Sequence, residues 1–281
     1  MKKLDPAEIA ASVERALAED YGGIDLTGEA VLAEGQQCVA EVIAREPGVL
    51  CGLAIAREVF RQLDSTIECA ELLQDGARLQ EGSVAMRVTG PARAVLAGER
   101  TAVNFLQHLS GIASLTAQFV RVASPFGIEI LDTRKTLPGL RQLEKYAART
   151  GGALNHRMGL FDAILIKDNH VDLAGGLREA VARAAAFHPV KEIEVEVRSE
   201  EELAQALEFG VGRVLLDNFT PTEVSSAVAL VGQRAEVEVS GGVTLENLAQ
   251  YAQARPQYIS VGGLTHSAPA LDLAMKVVGG S

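Results

Sequence analysis

Cysteine is scarce in this 281-residue chain: Cys38, Cys51 and Cys69 are odd in number, widely spaced, and without a nearby cysteine or histidine at metal-ligand spacing. That excludes a disulfide framework and a zinc site, and it fits a reducing compartment. Positive charge is also in short supply. With 26 Lys and Arg against 37 Asp and Glu the formal charge is −11, and no Lys/Arg run or basic stripe appears, which argues against a nucleic-acid or membrane-surface binder. No uninterrupted apolar run approaches membrane-spanning length. The opening Met1-Lys2-Lys3-Leu4 has the look of a signal peptide, but Asp5, Pro6 and Glu8 break any apolar core for one. A cytoplasmic protein is expected. No GxGxxG fingerprint follows the early strands, so a dinucleotide fold has no support.

What remains is ordinary globular material, 48% hydrophobic and 22% charged, enough for one large domain or a large and a small one. Asp5-Pro6-Ala7-Glu8 is a helix start, with Asp as N-cap, Pro at the first position and Glu at the third. Ile9, Val13, Ala16 and Leu17 continue at helical spacing until Gly22-Gly23. Strands are expected at 39–45, 67–73 and 84–88, a turn at 48–52 and a helix at 54–63. A long apolar helix-prone stretch covers 92–122, with an interruption at Ser110-Gly111. After Pro125 strands (128–131, 163–167, 192–197, 212–216, 235–239, 257–261) alternate with helices (139–149, 175–187, 199–209, 220–231, 244–253). Alternation without hairpin turns implies parallel strands with crossover helices.

Polar residues decide between an open sheet and a (β/α) barrel. Successive strands end in Asp132-Thr133-Arg134-Lys135, Lys167-Asp168-Asn169, Glu196, Asp217-Asn218, Ser240-Gly241-Gly242 and Gly262-Gly263. Barrel enzymes gather their chemistry at the C-terminal ends of several strands and often bind phosphate after the last two. An open sheet would concentrate it at one switch point.

Residues 132–170 are basic within an acidic chain, seven cations against four acids. Arg134, Arg157 and Lys167, with His156, suit a pocket for carboxylates, because guanidinium matches a carboxylate bidentately. Arg141, Lys145 and Arg149 recur at four-residue spacing and are expected on the solvated face of a helix. Alternation in Glu192-Ile193-Glu194-Val195-Glu196-Val197 puts three glutamates on one strand face, which requires cations or a metal opposite them. Glu196 and Asp217, ending neighbouring strands, suit Mg²⁺. Glu194 is instead a candidate ion-pair partner for Lys135 or Lys167. The glycine pairs leave backbone N–H groups open to a phosphate, with a helix N-terminus near Thr244 adding its dipole. The residue types thus describe a site for one carboxylate substrate and one phosphate substrate carrying Mg²⁺, without naming either.

These residues, with Gly98 to Leu106, Ser110 to Ala113, Asp132 to Gly139, Asn155 to Leu160, Ile166 to His170, Glu194 to Val197, Leu216 to Asn218, Ser240 to Gly242 and Ser260 to Ser267, resemble the quinolinate phosphoribosyltransferases, the carboxylating nicotinate-nucleotide diphosphorylases, over nearly the whole chain. The resemblance implies an open-sided β/α barrel (112–267) and an N-terminal α/β sandwich domain (1–111) completed by the tail (268–281). It implies phosphoribosyl transfer to quinolinate with decarboxylation, as in NAD biosynthesis. The enzyme would be a homodimer, or a trimer of such dimers, in which Arg100 reaches the partner's site. Arg134, His156, Arg157 and Lys167 would bind quinolinate. Lys135 would face the phosphoribosyl diphosphate, and Glu196 and Asp217 its ribose hydroxyls and Mg²⁺. Ser240, Gly241, Gly242, Gly262, Gly263 and His266 would line the 5-phosphate site. The chain departs from the family pattern at Ala153, Arg198 and Gly263 and in the spacing of 21–27. Two other readings stand beside this one: a phosphoribosyltransferase for nicotinate itself, and a non-catalytic anion-binding paralogue.

Overall fold

The computed structural model describes residues 4–280; Met1-Lys2-Lys3 of the leader-like opening lie outside them. In chain order the elements are α1 (Pro6–Asp20), α2 (Leu26–Val31), β1 (Gln37–Ala44), β2 (Gly48–Val49), α3 (Leu53–Leu63), β3 (Glu68–Glu71), β4 (Arg78–Leu79), β5 (Val84–Pro91) and α4 (Ala92–Ala123). Next come β6 (Glu129–Leu131), α5 (Arg141–Thr150), β7 (Ile164–Ile166), α6 (Asp168–Ala174), α7 (Leu177–Phe187), β8 (Ile193–Val197), α8 (Glu200–Phe209), β9 (Arg213–Asp217) and α9 (Pro221–Val231). The chain finishes with β10 (Glu236–Ser240), α10 (Leu248–Ala252), β11 (Tyr258–Ser260), α11 (Gly263–His266) and β12 (Leu273–Gly280). Among the described residues no helix is long and apolar enough to cross a membrane.

Two compact units divide the chain. The first takes residues up to Ala117, Thr136–Gly152 and the segment from Ser267. Its antiparallel sheet runs β12-β1-β5-β3, so the tail supplies an edge strand, as expected of the sandwich. Alternate residues of β1 (Cys38, Ala40, Val42, Ala44) are buried, the period-2 pattern of a half-buried strand. Asp5 caps α1, its Oδ1 accepting the Ala7 N–H at 2.9 Å.

Three expectations for this unit change. The break at Ser110-Gly111 is absent: α4 is one helix of 32 residues. Gly111 is there for room, since a Cβ on it would stand 2.1 Å from the Pro269 carbonyl oxygen, while Ser110 Oγ accepts the Cys51 N–H at 2.9 Å. Small and polar residues here serve the packing of the tail and of residue 51, not a chain break. The cations of α5 are not a solvated face either. Lys145 is fully buried and Arg141 and Arg149 are half-buried; Glu144, also buried, joins His108 at 2.9 Å. Finally, α2, capped by Asp25, and the short β2–β4 ladder were not foreseen.

The second unit, Gln118–Lys135 with Ala153–His266, holds the parallel sheet, in order β6-β11-β10-β9-β8-β7. All six expected strands form, and the ladder does not close: β7 pairs with β8 alone, and beyond β6 lies only a one-residue bridge, Leu131 to Leu154. The barrel is open-sided. Ile164, Ile166, Ile193, Val195, Val214, Leu216, Val237, Val239 and Ile259 share one parity along the ladder and, Ile164 aside, are buried. The opposite parity carries Leu165, Glu194, Glu196, Arg213, Leu215, Asp217, Glu236, Glu238, Ser240 and Ser260. One parity of the sheet is therefore apolar, and the other carries the charged residues of β8, β9 and β10. The expected helix at 175–187 is shorter, because Gly175 and Gly176 at φ 93° and 132° separate α6 from α7.

Candidate active site

The charged parity of the sheet and two loops enclose a cavity of about 320 Å³. Into it the strand ends bring Thr133, Arg134 and Lys135 after β6, Lys167 after β7, Glu196 from β8, and Leu215 and Asp217 from β9. Glu238 and Ser240 of β10 and Ser260 of β11 complete the far wall, and His156 and Arg157 enter from the loop before β7. Eight of the expected site residues thus meet in one hollow: Arg134, Lys135, His156, Arg157, Lys167, Glu196, Asp217 and Ser240.

The loop that carries His156 and Arg157 has no strand of its own and is held by a buried carboxylate. Asp132, fully buried at the end of β6, accepts the Asn155 Nδ2–H at 2.5 Å and the His156 N–H at 2.9 Å. Asp162 closes the loop from the other side, accepting the Met158 and Gly159 N–H groups at 2.6 and 2.9 Å. Arg157 donates from Nη1 to the Ala163 carbonyl at 3.1 Å. Burial and the nearby charge of Arg134 lower its pKa, against the pull of Glu194 and Asp162. The two guanidinium groups thus lie close enough to repel each other.

The acids divide by height along the strand. Glu196 is nearly buried and ion-paired with Lys167, whose side chain is 41% exposed. One residue pair lower, Glu194 turns to His156 instead, Oε2 lying 3.3 Å from Nε2. The expectation that Glu194 pairs with Lys135 or Lys167 is therefore corrected: two residues along a strand move a side chain nearly 7 Å, and the lysines belong to the upper level. Asp217 accepts from Asn218 Nδ2 at 2.8 Å. Asn218 itself sits at φ 59°, in the left-handed region that Asn tolerates better than most residues. Glu196 and Asp217 give two carboxylates on neighbouring strands, a donor set that fits Mg²⁺.

Around the glycines, Gly241 and Gly242 adopt φ 95° and 65°, and a Cβ on Gly241 would stand 2.2 Å from Asn218 Oδ1. A Cβ on Gly262 would meet Lys135 Cδ at 2.8 Å and His266 Nε2 at 3.2 Å, which puts Lys135, Gly262 and His266 together. Thr265 fixes this arrangement by donating to the Lys135 carbonyl at 2.8 Å. Gly263 has nothing within 4 Å of a would-be Cβ, so alanine would fit there and the glycine only loosens the loop. The helix start near Thr244 is corrected: the Thr244 N–H goes to Asn247 Oδ1 at 2.8 Å, Asn247 Nδ2 returns to the Gly242 carbonyl, and α10 begins only at Leu248. An Asn side chain has taken the helix's place as the turn's organiser. Arg100 stands exposed on α4, in the first unit.

Below the level of Glu196 lies a group of which the sequence reading named His156 and Glu194 but passed over Glu238 and Arg213. His156, Glu194 and Glu238 bring ligand-type atoms within 4.8 Å of one another, and Arg213 Nη1 is 3.4 Å from Glu238 Oε2. Arg213 also grips Glu236 through Nε and Nη2 and stacks on Tyr258, 4.0 Å from the ring centroid. Burial, then the charge of Glu194, pushes Glu238 up to about 8. Glu194, also buried, is held low by His156 and Arg213. The signal was available: Glu236-Val237-Glu238-Val239-Ser240 repeats the alternation that drew attention to 192–197.

Residues 25–110 match a family model described as the N-terminal domain of quinolinate phosphoribosyl transferase, and residues 112–276 match its C-terminal domain. A Bacillus subtilis protein described as a probable carboxylating nicotinate-nucleotide pyrophosphorylase is 45% identical, covering 92% of this chain and 90% of its own length. Among solved structures, NadC from Streptococcus pyogenes superposes with a TM-score of 0.94 at 38% identity, covering 100% of this chain and 99% of its own. The nicotinate-nucleotide pyrophosphorylase of Francisella tularensis gives 0.94 at 39% identity, with 98% of each chain covered.

Proposed function

Since the chain belongs to the quinolinate phosphoribosyl transferase family, we propose that it joins quinolinate to 5-phosphoribosyl 1-diphosphate, giving nicotinate mononucleotide, CO2 and diphosphate, the step that enters NAD biosynthesis. The observation that carries this reading is the division of one cavity by charge: Arg134, Arg157 and Lys167 from one side, Glu196 and Asp217 from the adjoining strands, and the glycine turns after β10 and β11 beyond them.

In this reading Arg134, Arg157 and Lys167 take the two ring carboxylates, with His156 beside them, and Arg100 reaches in from the second subunit of a homodimer. Lys135 faces the phosphoribosyl diphosphate. Ser240, Gly241, Gly242, Gly262, Gly263 and His266 receive the 5-phosphate. Glu196 and Asp217 would hold the Mg²⁺ that comes with the diphosphate, where it would neutralise charge on the leaving group. The pyridine nitrogen lone pair forms the bond to C1 of the ribose while the bond from C1 to the diphosphate oxygen breaks. Positive charge that grows on the sugar is stabilised by Glu196 or Asp217, both already oriented. The ring nitrogen is then cationic. Breaking the bond between C2 and its carboxylate releases CO2 and leaves the electron pair at C2, next to that cation, where a proton replaces it. The ammonium groups of Lys135 and Lys167 line the cavity and are the candidate donors.

Among the described residues all three cysteines are free thiols, which supports the proposed cytoplasmic setting. The concentration of cations around Arg134 and Arg157 favours a dicarboxylate over nicotinate, and the full set of charged groups speaks against a non-catalytic paralogue. Incubation with quinolinate, phosphoribosyl diphosphate and Mg²⁺ should yield nicotinate mononucleotide and one CO2 per turnover. Turnover of nicotinate without CO2, or no product from either, would reject the assignment.

A further inference from the structure

The carboxyl pair Glu194–Glu238 belongs to no step of that reaction, yet it sits directly behind the residues that meet the carboxylates. Glu238 is fully buried and Glu194 nearly so, and each brings a carboxylate oxygen within 3.5 Å of the same His156 ring nitrogen. Arg213 answers one negative charge from β9, and it already serves Glu236.

His156 shows what the pair is for. Its Nδ1 accepts the Arg157 N–H at 2.7 Å, so that nitrogen carries no proton. Its Nε2 lies 3.3 Å from Glu194 and 3.5 Å from Glu238. Both ring nitrogens are thus engaged within the protein, and the side chain is only 10% exposed. A second hollow of about 240 Å³ shares His156 and Arg157 with the first and is bordered by Glu194 and Arg213.

We infer that Glu194 and Glu238 are positioning residues that fix the His156 tautomer and, through Nδ1, the Arg157 backbone, so that His156 braces the dicarboxylate pocket. The inference rests on the proposed substrate.

The test is steady-state kinetics of the full-length protein at pH 7 with quinolinate varied, alongside ¹⁵N spectra of the histidine rings. E238A should raise the quinolinate KM at least tenfold, with kcat and the phosphoribosyl diphosphate KM changing far less. E238Q, which keeps an oxygen to accept from Nε2, should recover most of that loss. The His156 signal should report a ring protonated at Nε2 and bare at Nδ1, and E194Q should disturb it. A quinolinate KM unmoved by E238A, an E238Q as impaired as E238A, or a His156 ring protonated at Nδ1 overturns the inference. If the wild type ignores quinolinate altogether the proposed function fails, and the ring spectra still decide the role of the pair.

Discussion

Asp132 offers the sharpest test of how the cationic side of the cavity is built. The substitution D132N keeps shape and volume and removes only the charge. In the native protein the carboxylate accepts two hydrogen bonds, from Asn155 Nδ2 and the His156 N–H, at a position without solvent access. A hydrogen bond to a charged acceptor contributes about 1.5–3 kcal/mol, and a neutral one about 1 kcal/mol. Asn keeps one acceptor oxygen, so one of these bonds becomes a neutral one and the other is lost to an amide NH2, which costs about 2–5 kcal/mol in all. That cost falls on one loop, whose other anchors (Asp162 and the Ala163 carbonyl) remain. At the low end, about 2 kcal/mol lowers the ratio of placed to displaced loop about thirtyfold, which bounds the fall in apparent affinity. The quinolinate KM should rise by up to that factor, the phosphoribosyl diphosphate KM should change less than threefold, and the melting temperature should drop by about 4–8 °C. D132N with an unaltered quinolinate KM would show that the loop holds its place without the carboxylate. An equal rise in both KM values would show that the damage is not local.

Three further outcomes are expected. G111A adds a Cβ 2.1 Å from the Pro269 carbonyl; about 1–3 kcal/mol of overpacking outweighs the roughly 1 kcal/mol gained in helix propensity, so differential scanning calorimetry should show a lower melting temperature, and a higher one would refute the close approach. Mixing inactive R100A with inactive K135A subunits should restore about a quarter of wild-type activity if sites are shared across a two-fold dimer, whereas no recovery would put Arg100 outside the partner's site. Stability should also depend on pH. Because Glu238 binds its proton more tightly folded than unfolded, stability is greatest below its ordinary range and is lost as pH rises toward 8, by up to about 1.4 kcal/mol per pH unit. The lowered Glu194 acts only below its own ordinary range, outside that window. Urea titrations between pH 5 and 8 should show this slope in the wild type and its loss in E238Q.

The order of strands and helices in the second unit was legible because one parity of the strands is β-branched or leucine and the other, in β8, β9 and β10, carries the charged residues. A reader of the sequence can see which residues face away from the helices before knowing how the strands are arranged. The convergence of Arg134, Lys167, Glu196 and Asp217 followed from their shared position at strand ends. What stayed hidden depended on contacts remote in sequence. Gly111 looks like a break until Pro269 is seen against it. Lys145 looks solvated because spacing reports which residues share a helix face, and only packing tells what that face meets. Glu238 was passed over because the alternation that gave Glu194 its significance was not followed into the strand two places away, to which Arg213 connects it.

That alternation has a consequence for how the protein can change over generations. Glu194 and Glu238 are buried beside the half-buried Arg213, which Glu236 holds from the exposed side, so losing any one of them leaves the others short of a partner. Relatives should either keep the quartet together or replace it together with apolar side chains, while the glycine turns at the rim drift independently. Pairwise covariation among these four positions, stronger than between any of them and the rim, is the trace such coupling would leave in an alignment.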